Sequence, residues 1–291
     1  MSARPATGLL PRLRVWPRRA ASDAMLIAGL AMAGLLAVLT LLFGLNPPES
    51  AYTGNLMSRF QSPSLGGHVF GTDQLGRSLG ARLAAGMPWS LGIALVAAII
   101  ALSIGTVMGL IAAWLPGWPR RVIRTVVDTV IAFPSLVIAV TVIALLGRGF
   151  WPLAVTLGLA TWPIAARVVY AEAMSIVKRD YVVAAVLAGV GPVKVLATHV
   201  LPALRPTLLT MFAFTFADML IAESALSFLG LGVPLSAPSW GNMLAESREH
   251  LVAAPWMMLV PAGAIVFAVV ALNLIGDGIA ASARKRGRAI G

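Results

Sequence analysis

Five ionisable residues lie within or beside long apolar runs of the chain: Asp128, Arg167, Asp218, Glu223 and Asp277. Such residues are costly inside a membrane, and they usually mark substrate pathways, proton relays or paired charges. Asp218 lies deepest, about 18 Å along a helix that would begin at Pro206, at about 1.5 Å per residue. A single carboxylate gives little support for proton coupling, so we expect Asp218 to face a water-filled cavity or a helix partner.

Sequence motifs for nucleotide, acyl or metal chemistry are absent. The chain contains no G-x-x-x-x-G-K-[ST] loop, no G-x-S-x-G elbow and no H-E-x-x-H pair. His68, His199 and His250 are scattered over three segments, and there is no cysteine. We therefore expect no catalytic residue, no metal site and no ATPase activity in the chain itself.

The composition is typical of a polytopic membrane protein. Hydrophobic residues make up 59% of the chain and charged residues 11%, whereas a soluble domain has about 45–50% apolar residues. A helix needs about 20 predominantly apolar residues to cross a bilayer. Six windows fit that length: Ala24–Leu45, Ser90–Ala113, Val126–Leu146, Trp151–Val169, Pro206–Leu226 and Met257–Ile275. We predict an all-α membrane protein with six transmembrane helices.

Basic residues are distributed unequally between the segments that join these windows. The net charge of +11 could indicate nucleic-acid binding, but the positions of Lys and Arg favour a membrane orientation instead. With the N-terminus inside, most basic residues are cytoplasmic: Arg4, Arg12, Arg14, Arg18, Arg19, Arg120, Arg121, Arg124, Arg167, Lys178, Arg179, Lys194, Arg205, Arg284, Lys285, Arg286 and Arg288. The external segments contain Arg59, Arg77, Arg82, Arg148 and Arg248. We predict that both termini are cytoplasmic.

The first external segment is predicted to contain a helix on the membrane surface. Leu75, Leu79 and Leu83 recur every four residues, and Asp73 precedes them as a helix cap. In the last external segment, Trp240 and Trp256 are expected either to anchor the chain at the lipid headgroups or to form part of a lid.

Two patterns inside the predicted spans concern helix shape and packing. Pro134 is expected to kink the third span, because proline removes a backbone hydrogen bond. Gly105 and Gly109 form a small-xxx-small pair on the second span, which would let another helix approach closely.

A polar break at residues 172–202 separates the fourth and fifth spans. Asp180–Leu187 predicts a short helix with an apolar surface, and Val193–Leu201 predicts a second helix that Pro202 closes. Exposed apolar area of this kind usually marks an interaction site. A re-entrant or membrane-surface hairpin without a partner is the alternative.

The spacing of small residues in this break resembles the EAA loop, EAA-x3-G-x9-I-x-LP, of permease subunits in binding-protein-dependent ABC importers. Ala184, Ala185, Gly189 and the pair Leu201-Pro202 occupy the matching positions. Further segments resemble the C-type permeases of dipeptide, oligopeptide and nickel importers: GTDQLGRS, DTVIAFPSL, HVLP, SFLGLGV, PSWGNML and ALNLIGDG. The resemblance extends from about residue 66 to residue 280 and implies a type I ABC importer permease fold.

The resemblance implies that the EAA loop forms a coupling helix, which fits into a groove of a cytoplasmic ATPase. The docking residues would be Tyr181, Val182, Ala184, Ala185, Gly189 and Val190. The chain departs from the motif at Val183, where the family has glutamate, so this position cannot make the polar contact with the ATPase that the motif implies. Asp180 could replace that carboxylate at a different angle.

The function expected from this resemblance is that of one permease subunit of an ATP-driven peptide importer. Its partners would be a homologous B-type permease, two ABC ATPase domains that bind ATP and Mg²⁺, and an external substrate-binding protein. The permease core would span residues 86–280, preceded by residues 1–85 and followed by a basic tail at 281–291. Alternatives are a nickel or other small-solute importer, a proton-coupled secondary transporter that uses Asp218 and Glu223, and a membrane scaffold.

Candidate residues for the translocation pathway come from helical spacing on the fifth span and from the Pro134 kink. On the fifth span they are Met211, Phe214, Asp218 and Ile221, and Ser135 lies beside the kink. We expect these side chains to face the cavity between the two permease subunits.

Overall fold

The computed structural model describes residues 18–44 and 46–290, with side chains for residues 23–43 and 46–284. The described residues form α1 (Arg18–Gly44), α2 (Leu79–Trp114), α3 (Trp118–Ile131), α4 (Ser135–Leu146), α5 (Phe150–Ile176), α6 (Asp180–Leu187), α7 (Pro192–Val195), α8 (Leu201–Phe228), α9 (Trp240–Ser247) and α10 (Trp256–Ile290). Arg4, Arg12 and Arg14 of the predicted cytoplasmic tail lie outside the described residues. The predicted boundary at residue 85 falls within α2, and α10 continues through residue 280.

Five of the described helical segments are long and apolar enough to cross a membrane, and a sixth crossing is possible through α3 and α4 together. These two helices meet at an angle of 86°. The kink expected at Pro134 is therefore a complete break: α3 ends at Ile131, and Pro134 is the residue before α4. Proline lacks the amide that would continue α3, and it restricts Phe133 before it.

The centre of the bundle is the contact between α2 and α5, the most extensive between any two described helices. Gly105 and Gly109 lie on this contact, which confirms the predicted close approach. A Cβ at Gly109 would lie 2.8 Å from the carbonyl oxygen of Ala166 and from Cβ of Val169. The alanines on the facing turns are buried as well, so the helix backbones pack with little between them.

One end of the bundle, here called the loop end, consists of residues 46–78 and 229–255. The surface helix predicted there is wrong, because residues 73–78 form turns and Ser78 caps α2 by accepting a hydrogen bond from the Ala81 amide. Leu79 and Leu83 thus belong to the first turns of a long spanning helix. Trp240 is not a headgroup anchor: it is fully buried, and its indole N–H donates to the Leu83 carbonyl at 3.0 Å.

The opposite end, here called the short-helix end, contains α6 and α7. The helix predicted at Asp180–Leu187 is confirmed. Pro202 does not close the following helix, because α7 passes through a π turn at Leu196–Val200 into α8. The Leu201 amide donates to the Leu196 carbonyl across this turn, and Pro202 lies in the first turn of α8, where a missing N–H is tolerated. Residues Pro192–Phe228 consequently form one candidate span of 37 residues.

Candidate functional site

The short helix α6 presents an apolar surface at one end of the bundle. It begins after Arg179 with Asp180 in its first turn, where a negative charge favours the helix dipole. It ends at Leu187, and the turn that follows contains Gly189, whose φ of +81° suits glycine. Apart from Asp180, its exposed side chains are Tyr181, Val183, Ala184, Val186 and Leu187. Leu187 is 83% exposed and Val193, just beyond the turn, is 78% exposed, which is unusual for apolar side chains outside an interface or a membrane.

The opposite face of α6 is packed against the bundle. Val182 is completely buried in a cluster with Val195, Val200 and Leu204. Ala185 and Val190 are partly buried against the same cluster. Val182 therefore supports the helix and is not available to a partner, which corrects its place in the predicted docking set. Tyr181, Ala184 and Gly189 remain accessible.

A pocket of about 260 Å³ lies between α4, α5 and α8. It is mostly apolar, and its polar side chains are Ser135, Thr161, Thr215 and Asp218. The Asp218 carboxylate is exposed to this space and has no hydrogen bond or ion pair among the described residues. The structure thus brings Ser135 and Asp218 together, although they are 83 positions apart in the sequence.

The other three predicted pathway residues do not line this pocket. The ring of Phe214 lies against α10, because a Cβ at Gly276 would be 2.8 Å from its Cε1 atom. Ile221 is about half exposed and Met211 is partly buried. Instead, Thr215 and Met219 accompany Asp218 along the pocket wall. Of the four residues that helical spacing selected on the fifth span, the pocket is thus lined by Asp218 alone, and the role of all four in a pathway stays a prediction.

The remaining ionisable residues of the spans have separate environments. Arg167 donates to Asp128 at 2.8 Å, and both side chains are more than half exposed. Glu223 is fully buried near the loop end, where it accepts hydrogen bonds from Ser227 at 2.8 Å and Ser224 at 3.3 Å. Asp277 is exposed on α10. None of these four residues lines the pocket around Asp218.

A buried ion network at the loop end was not anticipated from the sequence. Arg82, which is 2% exposed, donates to Asp73 at 2.8 Å and to both carboxylate oxygens of Glu246 at 2.5 and 2.8 Å. Arg77 donates to the same two acids, and Asp73 also accepts from the Leu75 and Arg77 amides. Asp73 is therefore a turn residue and not a helix cap. The network fastens residues 72–82 to α9.

Glu246 lies outside the spans, and its electrostatic environment favours the ionised form. Burial alone would raise the pKa of this carboxyl group. The hydrogen bonds and positive charge of Arg82, together with Arg77 and Gln74, overcome that effect and hold the pKa of Glu246 below its ordinary value. Glu246 is thus ionised at neutral pH and forms a stable ion pair with Arg82.

Histidines and acids do not converge on a metal site in the part of the chain that the structure describes. His250 packs against Phe60, with ring centroids 4.9 Å apart, and the His199 ring lies 2.8 Å from the Thr198 hydroxyl.

Long apolar helices around a partly polar pocket, with an accessible apolar helix at one end, are the features of a helical membrane protein. The chain belongs to the family of binding-protein-dependent transport system inner membrane components, whose family model matches residues 105–288. It is accordingly a multi-pass permease component of the cell membrane.

Relatives of known name are similar over most of the chain. A putative peptide transport system permease protein of Brucella suis is 40% identical over 221 residues, which cover 76% of this chain and 74% of the relative. A di/tripeptide transport system permease protein of Pseudomonas aeruginosa is 36% identical over 211 residues, covering 72% and 70%. A glutathione transport system permease protein of Salmonella typhimurium is 35% identical over 269 residues, covering 92% and 88%.

Proposed function

We propose that the chain is one of two permease subunits of an ATP-driven importer of peptides. Three relatives that match most of the chain are named for peptide, di/tripeptide and glutathione transport, and glutathione is itself a tripeptide. The partners would be a homologous B-type permease, an external substrate-binding protein and two cytoplasmic ATPase domains. The short-helix end and both termini would face the cytoplasm, as the distribution of Lys and Arg favours.

The exposed apolar surface of α6 is the observation that carries this proposal. A partner that covers Leu187, Val186 and Val193 would remove apolar area that water otherwise contacts. We assign this partner role to an ATPase domain, which would bind ATP and Mg²⁺ because this chain contains no nucleotide-binding loop. Val183 is exposed at the position of the motif glutamate, so an apolar contact would replace the family's charged one.

The pocket around Asp218 would form part of the pathway between the two permeases. Its carboxylate has no partner among the described residues, so it is available to a cationic group such as the α-ammonium of a peptide. Ser135, Thr161 and Thr215 add hydroxyl groups that can replace water around a peptide. ATP binding shifts the importer between two orientations only if the ATPase binds one of them more tightly.

The proposal is tested by reconstituting the chain with its partner permease and ATPase in vesicles and measuring the uptake of labelled di- and tripeptides. We expect uptake that requires ATP and the loaded substrate-binding protein. A mutated ATPase that binds but does not hydrolyse ATP is the control. Uptake by the chain alone under a pH gradient would contradict the proposal and support a proton-coupled transporter.

A further inference from the structure

Helix α3 differs from the spanning helices in having three distinct faces. Val127 is buried against the bundle, while Trp118, Val122 and Val126 form an exposed apolar stripe at intervals of four residues. Arginines occupy the remaining face. The helix also lies at 86° to α4. A helix that combines an apolar stripe with a basic face is typical of the lipid headgroup region.

The arginine face borders a polar pocket of about 570 Å³ at the short-helix end. Its lining residues are Gly117, Arg120, Arg121, Arg124, Thr125 and Asp128. Arg120 is held in place by hydrogen bonds to the carbonyls of Ala112 and Ala113 at 2.9 and 3.1 Å. The Arg124 guanidinium lies 5.7 Å from the centre of the Tyr170 ring. Two of the three cations are therefore positioned before any ligand binds.

The charge of this pocket is positive even though it contains an acid. Asp128 is the acidic residue in its lining, and the nearby Arg167, which is not in the lining, donates to it at 2.8 Å. Arg121 has no ion pair among the described residues. Guanidinium groups bind phosphate oxygens through paired, charge-assisted hydrogen bonds. A phosphate group is thus the ligand that best complements the pocket.

An adjoining pocket indicates that the phosphate is carried by a lipid. It has a volume of about 420 Å³, and it shares Arg124 and Asp128 with the polar pocket. Its other lining residues include Arg167, which pairs with Asp128, and Tyr170, but most are apolar, among them Met108, Ile123 and Val127. A free phosphate ion would gain nothing from this apolar surface, whereas a phospholipid could place a phosphate on one side and acyl carbon atoms on the other.

We propose that α3 and the adjoining turns of α2 and α5 form a binding site for an anionic phospholipid. Arg121 and Arg124 contact the headgroup phosphate, Arg120 supplies fixed positive charge, and the apolar pocket receives the upper part of an acyl chain. The site is separate from the α6 surface and from the pocket around Asp218. It does not depend on the identity of the transported solute.

Native mass spectrometry of the purified full chain with added phosphatidylglycerol or phosphatidylcholine tests this site. Each arginine near a membrane surface contributes about 1 kcal/mol to binding an anionic lipid, or about fivefold in affinity. We expect Arg121→Gln to weaken phosphatidylglycerol binding about fivefold and the double substitution R121Q/R124Q about 25-fold. Arg148→Gln, at an exposed position in the turn between α4 and α5, is the matched control and should change nothing.

Two further measurements distinguish a lipid site from a general phosphate site. Asp128→Asn removes the acid from the pocket and should tighten phosphatidylglycerol binding, a direction that a damaged fold would not produce. Inorganic phosphate at millimolar concentration should not displace the lipid. Equal binding of both lipids, unchanged binding by R121Q/R124Q, or displacement by inorganic phosphate would overturn the proposal.

Discussion

At the scale of single residues, Asp218 has the clearest consequence for transport. It is the one acid among the residues that line the pocket between α4, α5 and α8. An ammonium group that leaves water to enter this pocket would need a negative charge to compensate for its lost hydration. We therefore expect the Asp218 carboxylate to favour passage of solutes that carry an ammonium group. This preference would add to the selection made by the substrate-binding protein.

We predict that Asp218→Asn lowers peptide uptake about tenfold, equivalent to about 1.4 kcal/mol, while ATP hydrolysis continues. Asp218→Glu should retain most of the uptake because it keeps the charge. Asp277→Asn, an exposed acid on another helix, serves as the control. The initial rate of uptake into vesicles at saturating loaded binding protein measures the effect. Equal rates for Asp218→Asn and wild type would remove Asp218 from the pathway.

The ion network around Arg82 leads to a prediction about stability. Glu246→Gln leaves Arg82 with Asp73 alone, so we expect a loss of about 2 kcal/mol, less than the roughly 3–5 kcal/mol for a fully unpaired buried charge. The melting temperature of the purified chain would report this loss. Glu249→Gln provides the control, because Glu249 is exposed and lies only three positions further along the same segment.

The same network is expected to make the stability of the protein decrease at acidic pH. A carboxyl group whose pKa is lowered by folding stabilises the native state at a pH above its unfolded value, near 4.3 for glutamate, and loses that contribution as the pH falls through the lowered pKa. Melting temperatures of the wild type should therefore decline below about pH 4. The decline should be smaller in Glu246→Gln, and parallel curves would argue against the network.

Individual residues show what sequence could and could not reveal. The depth of Asp218 in an apolar run was enough to select it, because a charge in that position is conspicuous in any membrane helix. Arg82 and Glu246 are 164 positions apart, and no local pattern links two charges at that distance. Asp73 and Arg77, which are four positions apart and of opposite charge, were the available hint of that network.

At the scale of elements, α6 separates its two faces sharply. Val182 packs inward, whereas Leu187 points away from the protein. The inner face packs against the first turns of α8, and the outer face is accessible to a partner. Substitutions on the two faces should therefore have different effects, although the residues lie within eight positions of one another.

Leu187→Arg is predicted to weaken ATPase binding by about 3 kcal/mol or more, over a hundredfold, because it places an unpaired charge in a packed interface. The melting temperature of the isolated chain should not change. Val182→Ala should do the reverse, lowering stability through lost packing while retaining some ATPase binding. Co-purification and thermal melting together measure both effects. Full ATPase binding by Leu187→Arg would locate the interface elsewhere.

Prolines explain why some elements were predicted better than others. The pattern of small and apolar residues was sufficient for α6 and for the contact between α2 and α5. The effects of Pro134 and Pro202 depended on their surroundings: one terminates a helix completely, and the other begins one beside a π turn. A proline restricts the backbone in the same way at both positions, so the neighbouring packing decides the result.

At the scale of the whole molecule, the orientation in the membrane can be tested directly. The chain has no cysteine, so a single introduced thiol reports its own location. We predict that Ser64→Cys at the loop end reacts with a membrane-impermeant maleimide in intact cells. Lys178→Cys at the short-helix end should react only after permeabilisation. Both positions are exposed, and the opposite labelling pattern would reverse the proposed orientation.

The continuous helical segment from Pro192 to Phe228 has a mechanical consequence. Its 37 residues give a rod about 55 Å long at about 1.5 Å per residue, so a rotation of about 5° about one end would move the other by about 5 Å. Val182 packs α6 against the start of this segment, in a buried cluster with Val195 and Val200. A force applied to α6 would thus rotate the segment about its α6 end. Because the segment is long, a small rotation would produce a larger displacement of α8 near the pocket and at the loop end.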